Sequence, residues 1–261
     1  MTNAQNIKKY WNEQAKMFGR EAKATTQDIY MRDIEIDYIT TFLSSFREPL
    51  MVLDIGCGNG FSTFQYKAKV GWHTYVGGDY SEGMIEAANA ELKKRQLSEG
   101  IEFNVIDVLN LSKLNNKYDI IISDRCLINL GGAKNRKKAL WEIAACLHQG
   151  GRYLMIENFI EGHSELNRLR EYLDIPEISV RWHNSFFSIK ELKDSVKHIF
   201  KIDNFENISS LYYLVTRVVY SKLCEMEGRE PDYEHPIYKV ASQLPPTDNF
   251  GPICACTMVR N

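Results

Sequence analysis

The chain has 261 residues, 44% hydrophobic and 25% charged, with a formal charge of −2. That is ordinary for a soluble globular protein with a real core, folded as one large α/β domain or two small ones. With a pI near 6.3, the balance argues against a general nucleic-acid binder, which carries a basic excess or stripe. The region after Met1 is polar and no apolar run reaches about 18 residues, so neither a signal peptide nor a spanning helix is expected. The cysteines at 57, 126, 146, 224, 254 and 256 lack paired metal-ligand spacing. They read as core thiols in a reducing compartment, and the expectation is a cytoplasmic protein without a metal.

In chain order, Ile7, Tyr10, Trp11, Gln14 and Phe18 recur at roughly helical spacing. Thr25 to Asp28 supplies caps for a second amphipathic helix carrying Ile29, Ile36, Ile39 and Leu43. From Leu50 to Glu157 the pattern alternates. Strands are predicted at Leu50–Ile55, His73–Gly77, Ile101–Ile106, Tyr118–Ser123 and Gly151–Glu157, with helices at Phe61–Ala68, Glu82–Leu97 and Asn135–His148. Such alternation implies right-handed crossovers and a doubly wound, mostly parallel sheet. Sheets of this kind bind ligands outside the carboxyl ends of their strands. Asp54, Asp79, Asp107 and Asp124 all end strands.

The stretch Met51-Val52-Leu53-Asp54-Ile55-Gly56-Cys57-Gly58-Asn59-Gly60 reads as a buried strand turned sharply by glycines, which accept positive φ and let a ligand approach the backbone. A dinucleotide fingerprint would need a third glycine where Phe61 stands, and Asp54 would sit against a pyrophosphate. The acid suits a ligand with positive charge instead. Asp79 follows the loop at the spacing of an acid that holds both hydroxyls of a ribose.

These residues resemble motif I of the class I S-adenosylmethionine-dependent methyltransferases. Gly77-Gly78-Asp79-Tyr80-Ser81-Glu82-Gly83-Met84 resembles the second motif, and Ile106-Asp107-Val108 the next. The resemblance implies S-adenosylmethionine as cofactor and S-adenosylhomocysteine as product. Its contacts would be Asp54, Gly56, Cys57, Gly58, Asn59, Gly60, Asp79, Tyr80, Met84, Asp107 and Val108, with Tyr80 and Met84 on the adenine faces and Asp107 accepting from the adenine amino group. The loop from Ser123 to Leu130 would add Asp124 and Arg125, unless those two pair structurally, while Cys126 and Leu127 would line the methionine moiety. In this family the N-terminal segment commonly folds over the cofactor, which makes Tyr10, Trp11, Tyr30 and Arg32 candidates for a lid. Asn129 stands where the family often has a histidine, so no base is carried onto that loop.

The implied architecture is a Rossmann-like, seven-stranded, mostly parallel sheet ending in an antiparallel strand. Residues 1–46 form the helical lid, 47–158 the cofactor core, and 188–206 with 253–261 the closing elements. Among these, Ser188–Val196 reads as a helix, Ile199–Phe205 as a strand and Cys254–Val259 as a reversed edge strand. Two insertions, 159–187 and 207–252, stand outside the resemblance and are long enough to be functional. They carry His163, Arg168, Arg170, Trp182, His183, Arg217, Tyr233 and His235, an inventory that suits a small polar acceptor such as a sugar, amino sugar or other metabolite. His183 and His163 are the candidate catalytic bases, ahead of His235. The resulting expectation is methyl transfer to oxygen or nitrogen by in-line displacement, with no membrane or nucleic-acid partner. An RNA or protein methyltransferase and a nicotinamide-dependent oxidoreductase are the alternatives.

Overall fold

The computed structural model describes residues 3–97, 99–247 and 250–261, so positions 248 and 249 of the second insertion lie outside the description. Strands β1 (Met51–Ile55), β2 (Thr74–Asp79), β3 (Ile101–Val105), β4 (Tyr118–Asp124), β5 (Leu147–Asn158), β6 (Phe200–Asn207) and β7 (Ile253–Arg260) form one sheet in the order β3-β2-β1-β4-β5-β7-β6. The first five are parallel, and β7 runs antiparallel to both β5 and β6. The reversed strand is therefore not at the edge, as its place at the chain's end suggested, but between β5 and β6. Its residues Ile253 to Met258 are all buried, and an uninterrupted apolar run belongs in a sheet interior. The outer strand β6 alternates toward solvent.

The elements around the sheet follow from local chemistry. Helix α1 (Asn3–Phe18) precedes α2 (Ile29–Ser44), whose cap Asp28 accepts from Met31 N at 3.1 Å. Helix α3 (Phe61–Lys69) starts at Gly60, held at φ 76. Helix α4 (Glu82–Lys94) is capped by Ser81, which accepts from Met84 N at 3.2 Å. Helices α5 (Ala133–Cys146), α6 (Ile160–Tyr172) and α7 (Ile189–Val196) follow β4 and β5. Helix α5 ends two residues before His148, because buried Leu147 is drawn into the sheet opposite Tyr118. The second insertion folds as α8 (Ser210–Tyr213), a π-helical stretch Leu214–Val219, α9 (Tyr220–Met226) and α10 (Pro236–Ala241). Among the described residues, no helix is long and apolar enough to cross a membrane.

Two apolar layers sandwich the sheet. Val52, Ile120 and Ile122 join α2 and α3 on one face, while Leu53 and Ile121 join α5 and α7 on the other. Alternate strand residues thus face opposite cores, as period-two geometry requires. Tyr212, Tyr220 and Tyr238 of the second insertion are fully buried in the first layer, so these aromatics hold the insertion on the sheet. Asn207, the start of a glycosylation-like triplet, is buried and donates to Gly251 O at 2.6 Å.

Space beside the loop is tight where β2 meets β3. A Cβ on Gly77 would lie 2.4 Å from the Phe103 ring. Gly77→Ala is expected to lower stability by about 1–3 kcal/mol through overpacking, read as a shift in urea midpoint at unchanged slope.

Candidate functional site

A cavity of about 440 Å³ opens beyond the carboxyl ends of β1, β2 and β4, within the range of about 300–1,000 Å³ common for small-molecule sites. One wall is the glycine loop. Gly56 turns at φ 81 and donates to Gly78 O at 2.7 Å, and Gly58 donates to Asp79 Oδ2 at 2.9 Å. Ser81 N donates to Asp79 Oδ1 at 2.8 Å. These two backbone donors aim the Asp79 carboxylate and oppose the burial that pushes its pKa up. The loop backbone lies bare to its surroundings. A Cβ on Gly56 would strike the Cys126 side chain at 2.5 Å, and one on Gly58 would strike Thr25 at 2.8 Å.

Four acids surround this edge. Asp54 accepts from Thr63 Oγ1 at 2.5 Å, and burial, with Asp124 and Asp79 nearby, raises its pKa to about 7. Glu157, at the end of β5, accepts from Leu127 N at 2.6 Å and Ile128 N at 3.4 Å, and burial raises it to about 8. It thereby holds the loop after β4 from beneath. The cations come from α2 and from the loop after β4. Arg32 donates to Ser62 Oγ at 3.0 Å and Thr25 Oγ1 at 2.9 Å, and approaches Glu35 at 3.4 Å. Arg125, at φ 49, pairs with fully buried Glu35 at 2.8 Å, against 3.9 Å to Asp124. The alternative of a structural pair between Asp124 and Arg125 thus gives way to a bridge from α2 to the loop after β4.

Most of the residues singled out in the sequence meet here. Asp54, Gly56, Cys57, Gly58, Asp79, Tyr80, Met84, Asp107, Val108, Asp124 and Arg125 line the cavity, together with Trp11, Arg32, His163 and His183. Four do not. Tyr30 packs on the apolar layer of α2 and α3. Asn59 turns its amide to Gly19 O and Glu21 O at 2.8 and 2.9 Å, tying down the N-terminal segment. Gly60 starts α3 behind the loop, and Tyr10 stacks on the back of His183, centroids 4.8 Å apart. Asp107 lies on the wall with its carboxylate accepting from Leu109 N at 2.9 Å and Asn110 Nδ2 at 2.6 Å.

Helix α1 closes one side. Asn12 Oδ1 accepts from Ser81 Oγ at 2.6 Å and Gly83 N at 3.0 Å, so α1 is fastened to the start of α4. Its Trp11 meets His183 edge-on at 5.6 Å. The same helix therefore touches the second motif and the first insertion.

The far end is built by the insertions. His163 and His183 are both buried there, and burial lowers both pKa values, that of His183 to about 4 with the help of Arg181. Both rings are neutral at pH 7. Arg217 pairs with Asp28, donates to the Tyr238 hydroxyl at 2.8 Å and lies 4.7 Å over Tyr233. His235 caps α10 and stacks on Tyr220, away from the cavity. Trp182 is 60% exposed and Phe187 is core.

Sequence reading passed over Glu35, Asp28, Asn158 and Glu157. Glu157 had a signal, since it ends the fifth strand as the other acids end theirs. Thr25 to Asp28 read only as caps, yet all four residues reach the cavity wall.

Residues 52–151 match the family described as a methyltransferase domain. The chain is 26% identical to a malonyl-[acyl-carrier protein] O-methyltransferase of Priestia megaterium over 85% of this chain and 81% of that protein. It is 28% identical to a protein-lysine N-methyltransferase of Saccharomyces cerevisiae over 51% of this chain and 63% of that one. In structure it is similar to magnesium protoporphyrin IX methyltransferase of Synechocystis PCC 6803 with bound SAM, with a TM-score of 0.61 at 14% identity. That likeness covers 100% of this chain and 98% of that one, and at such identity it is a likeness of fold.

The raised acids make stability pH-dependent. Glu157 sits at about 8 and Asp54 at about 7 in the folded chain, so between pH 6.5 and 8 the folded state holds protons that the unfolded state has released. Stability then falls as pH rises. The histidines act oppositely, but only below their unfolded value near 6.5. Urea titrations of the ligand-free protein should give a lower midpoint at pH 8 than at 6.5, and Glu157→Gln should flatten the difference. A midpoint that rises over this window would mean the acids are ionised in the fold.

Proposed function

Because the chain belongs to the class I S-adenosylmethionine-dependent methyltransferases, we propose that it methylates an oxygen or nitrogen of a small polar acceptor, such as a sugar, an amino sugar or another metabolite, held by its two insertions. The observation that carries this reading is the single cavity shared by the glycine loop and both insertions.

The cofactor half fits the donor. Gly56 and Gly58 line the cavity, and a Cβ on either would strike Cys126 or Thr25, so only glycine lets this backbone face the donor. Asp79 is oriented by two N–H donors toward a ribose diol, and Tyr80 and Met84 supply the flanking surfaces for adenine. Asp54 and Asp124 favour a ligand with positive charge, while Arg32 is the cation beside the amino-acid end. When bound, the cofactor supplies a methyl group on a sulfonium, already a good leaving group. What remains for the chain is alignment and exclusion of water, which are worth several orders of magnitude in rate.

Trp11, Met31 and the Thr25 to Asp28 turn cover the cavity from the N-terminal side. In this reading α1 is the lid, held near its middle to α4 by Asn12 and to His183 by Tyr10. His183 and His163 are the groups placed beside the acceptor. Each is a neutral imidazole, able to accept a hydrogen bond from the nucleophile but held away from the imidazolium form. Alignment therefore carries more of the rate than proton removal. The net charge of −2 supports a small acceptor over RNA.

Calorimetry should show binding of S-adenosylmethionine and none of NAD. Asp79→Ala should weaken cofactor binding by about tenfold or more, since a buried diol loses its acceptor; equal affinity would place the ribose elsewhere. Deleting the chain through Arg20 should weaken cofactor binding while far-UV circular dichroism stays that of the folded sheet, and full affinity in the truncated protein would assign α1 to packing alone. Labelled methyl transfer to small metabolites, a lysine peptide and RNA sorts the acceptor classes.

A further inference from the structure

The acceptor half of the cavity carries an unbalanced positive charge. Of the cations on the wall, Lys8 pairs with Glu82, Arg32 and Arg125 with Glu35, and Arg217 with Asp28. Arg181 has no acid within ion-pair distance among the described residues. It lies in the first insertion, two residues before His183, at the exposed edge of the same cavity. The same cavity wall carries the apolar side chains of Ile128, Leu166, Ile178 and Phe186.

The same end lacks a strong base. Asp28 is saturated by Met31 N, the Tyr212 hydroxyl and Arg217. Asn129 and Asn158 are amides and take no proton. His163 and His183 are buried among aromatic rings, His183 against Tyr10, Trp11 and Trp182 and His163 against Phe186. A proton taken by His183 would create a second cation close to Arg181, which already depresses it, and burial opposes a charge on His163 against the weaker pull of Glu177. A neutral hydroxyl or an ammonium acceptor must shed a proton as it is methylated. A carboxylic acid has shed its proton at neutral pH, with a pKa of about 4.

We propose that the acceptor is a carboxylate on an apolar body, seated by Arg181, and that the product is its methyl ester. This rests on the methyltransferase reading above. One carboxylate oxygen forms the new bond to the methyl carbon with its own electron pair. The sulfur–methyl bond breaks, and its pair stays on sulfur as the neutral thioether. No proton is released, so none needs a base. Arg181 holds the acceptor by a charge-assisted contact of the kind guanidinium makes with carboxylates, and His183 and His163 shape the site without titrating.

The test uses the full-length protein and matched probes: 3-phenylpropanoate, 3-phenylpropan-1-ol and 3-phenylpropylamine, each with methyl-labelled S-adenosylmethionine. The expected result is alkali-labile label, released as methanol, from the acid alone. Calorimetry in the presence of S-adenosylhomocysteine should show binding of the acid in preference to the alcohol and amine. Arg181→Gln should raise KM for the acid by about tenfold or more with kcat changed far less, Arg181→Lys should recover part of it, and affinity for S-adenosylhomocysteine should stay constant in both. The wild-type rate on the acid should be flat in pH above 6, since no base titrates in the reaction. Label on the alcohol or amine but not the acid overturns the proposal. So do an unchanged KM in Arg181→Gln, loss of cofactor affinity in that variant, and absence of acid binding. Failure of the wild-type protein to bind S-adenosylmethionine at all would instead overturn the reading beneath it.

Discussion

Buried negative charge along one edge of a parallel sheet is the constraint that organises this molecule. Asp54, Asp79, Asp124 and Glu157 end neighbouring strands, Asp54 and Glu157 buried and Asp79 and Asp124 half-buried. A carboxylate in such a place is costly unless hydrogen-bonded or paired. The surrounding structure meets that demand piece by piece. Loop N–H groups serve Asp79 and Glu157, Thr63 serves Asp54, and Arg125 and Arg32 converge on Glu35. Compensation is incomplete, and the raised pKa values of Asp54 and Glu157 record the remainder. A ligand with positive charge completes it. Affinity and local instability have the same origin here.

The N-terminal segment and the insertions are tied into this edge. Helix α2 contributes Glu35 and Arg32, the turn before it contributes Asp28, and Asp28 binds Arg217 from the π-helical stretch. One ion network thus joins the beginning of the chain to its second insertion beside the cavity. The wide π turn places Tyr213 and Arg217 together on the wall, a usual position for such irregularities. Helix α1 adds a second link by stacking on His183. The glycine-loop side and the insertion side of the cavity are consequently not independent modules but two ends of one packed assembly.

Local pattern carried most of the cofactor half, because its residues lie in short stretches whose chemistry is set by neighbours in sequence. A glycine turn after a buried strand and an acid at a strand end need only a few adjacent positions to be recognised. The lid candidates were harder. Trp11 and Arg32 reached the cavity while Tyr30 packed against an apolar layer, although Tyr30 and Arg32 sit two residues apart on one helix. Helical periodicity gives a face, and it does not say which of two apolar surroundings that face meets.

By itself the sequence determined the alternating fold, the order of the strand-ending acids, the glycine cradle and the unsuitability of that cradle for a pyrophosphate. Each follows from periodicity or from the charge and conformational freedom of adjacent residues. Only the tertiary structure decided that β7 enters between β5 and β6, that Arg125 bridges to Glu35 instead of Asp124, and that Asp28 is a salt-bridge partner as well as a cap. It also decided that the tyrosines of the second insertion are mostly core while Arg181 keeps its charge unpaired. The Arg125–Glu35 and Arg217–Asp28 contacts join positions 90 and 189 residues apart. Their energies depend on burial and on which charges share a low-dielectric space, and neither exists until the chain has folded.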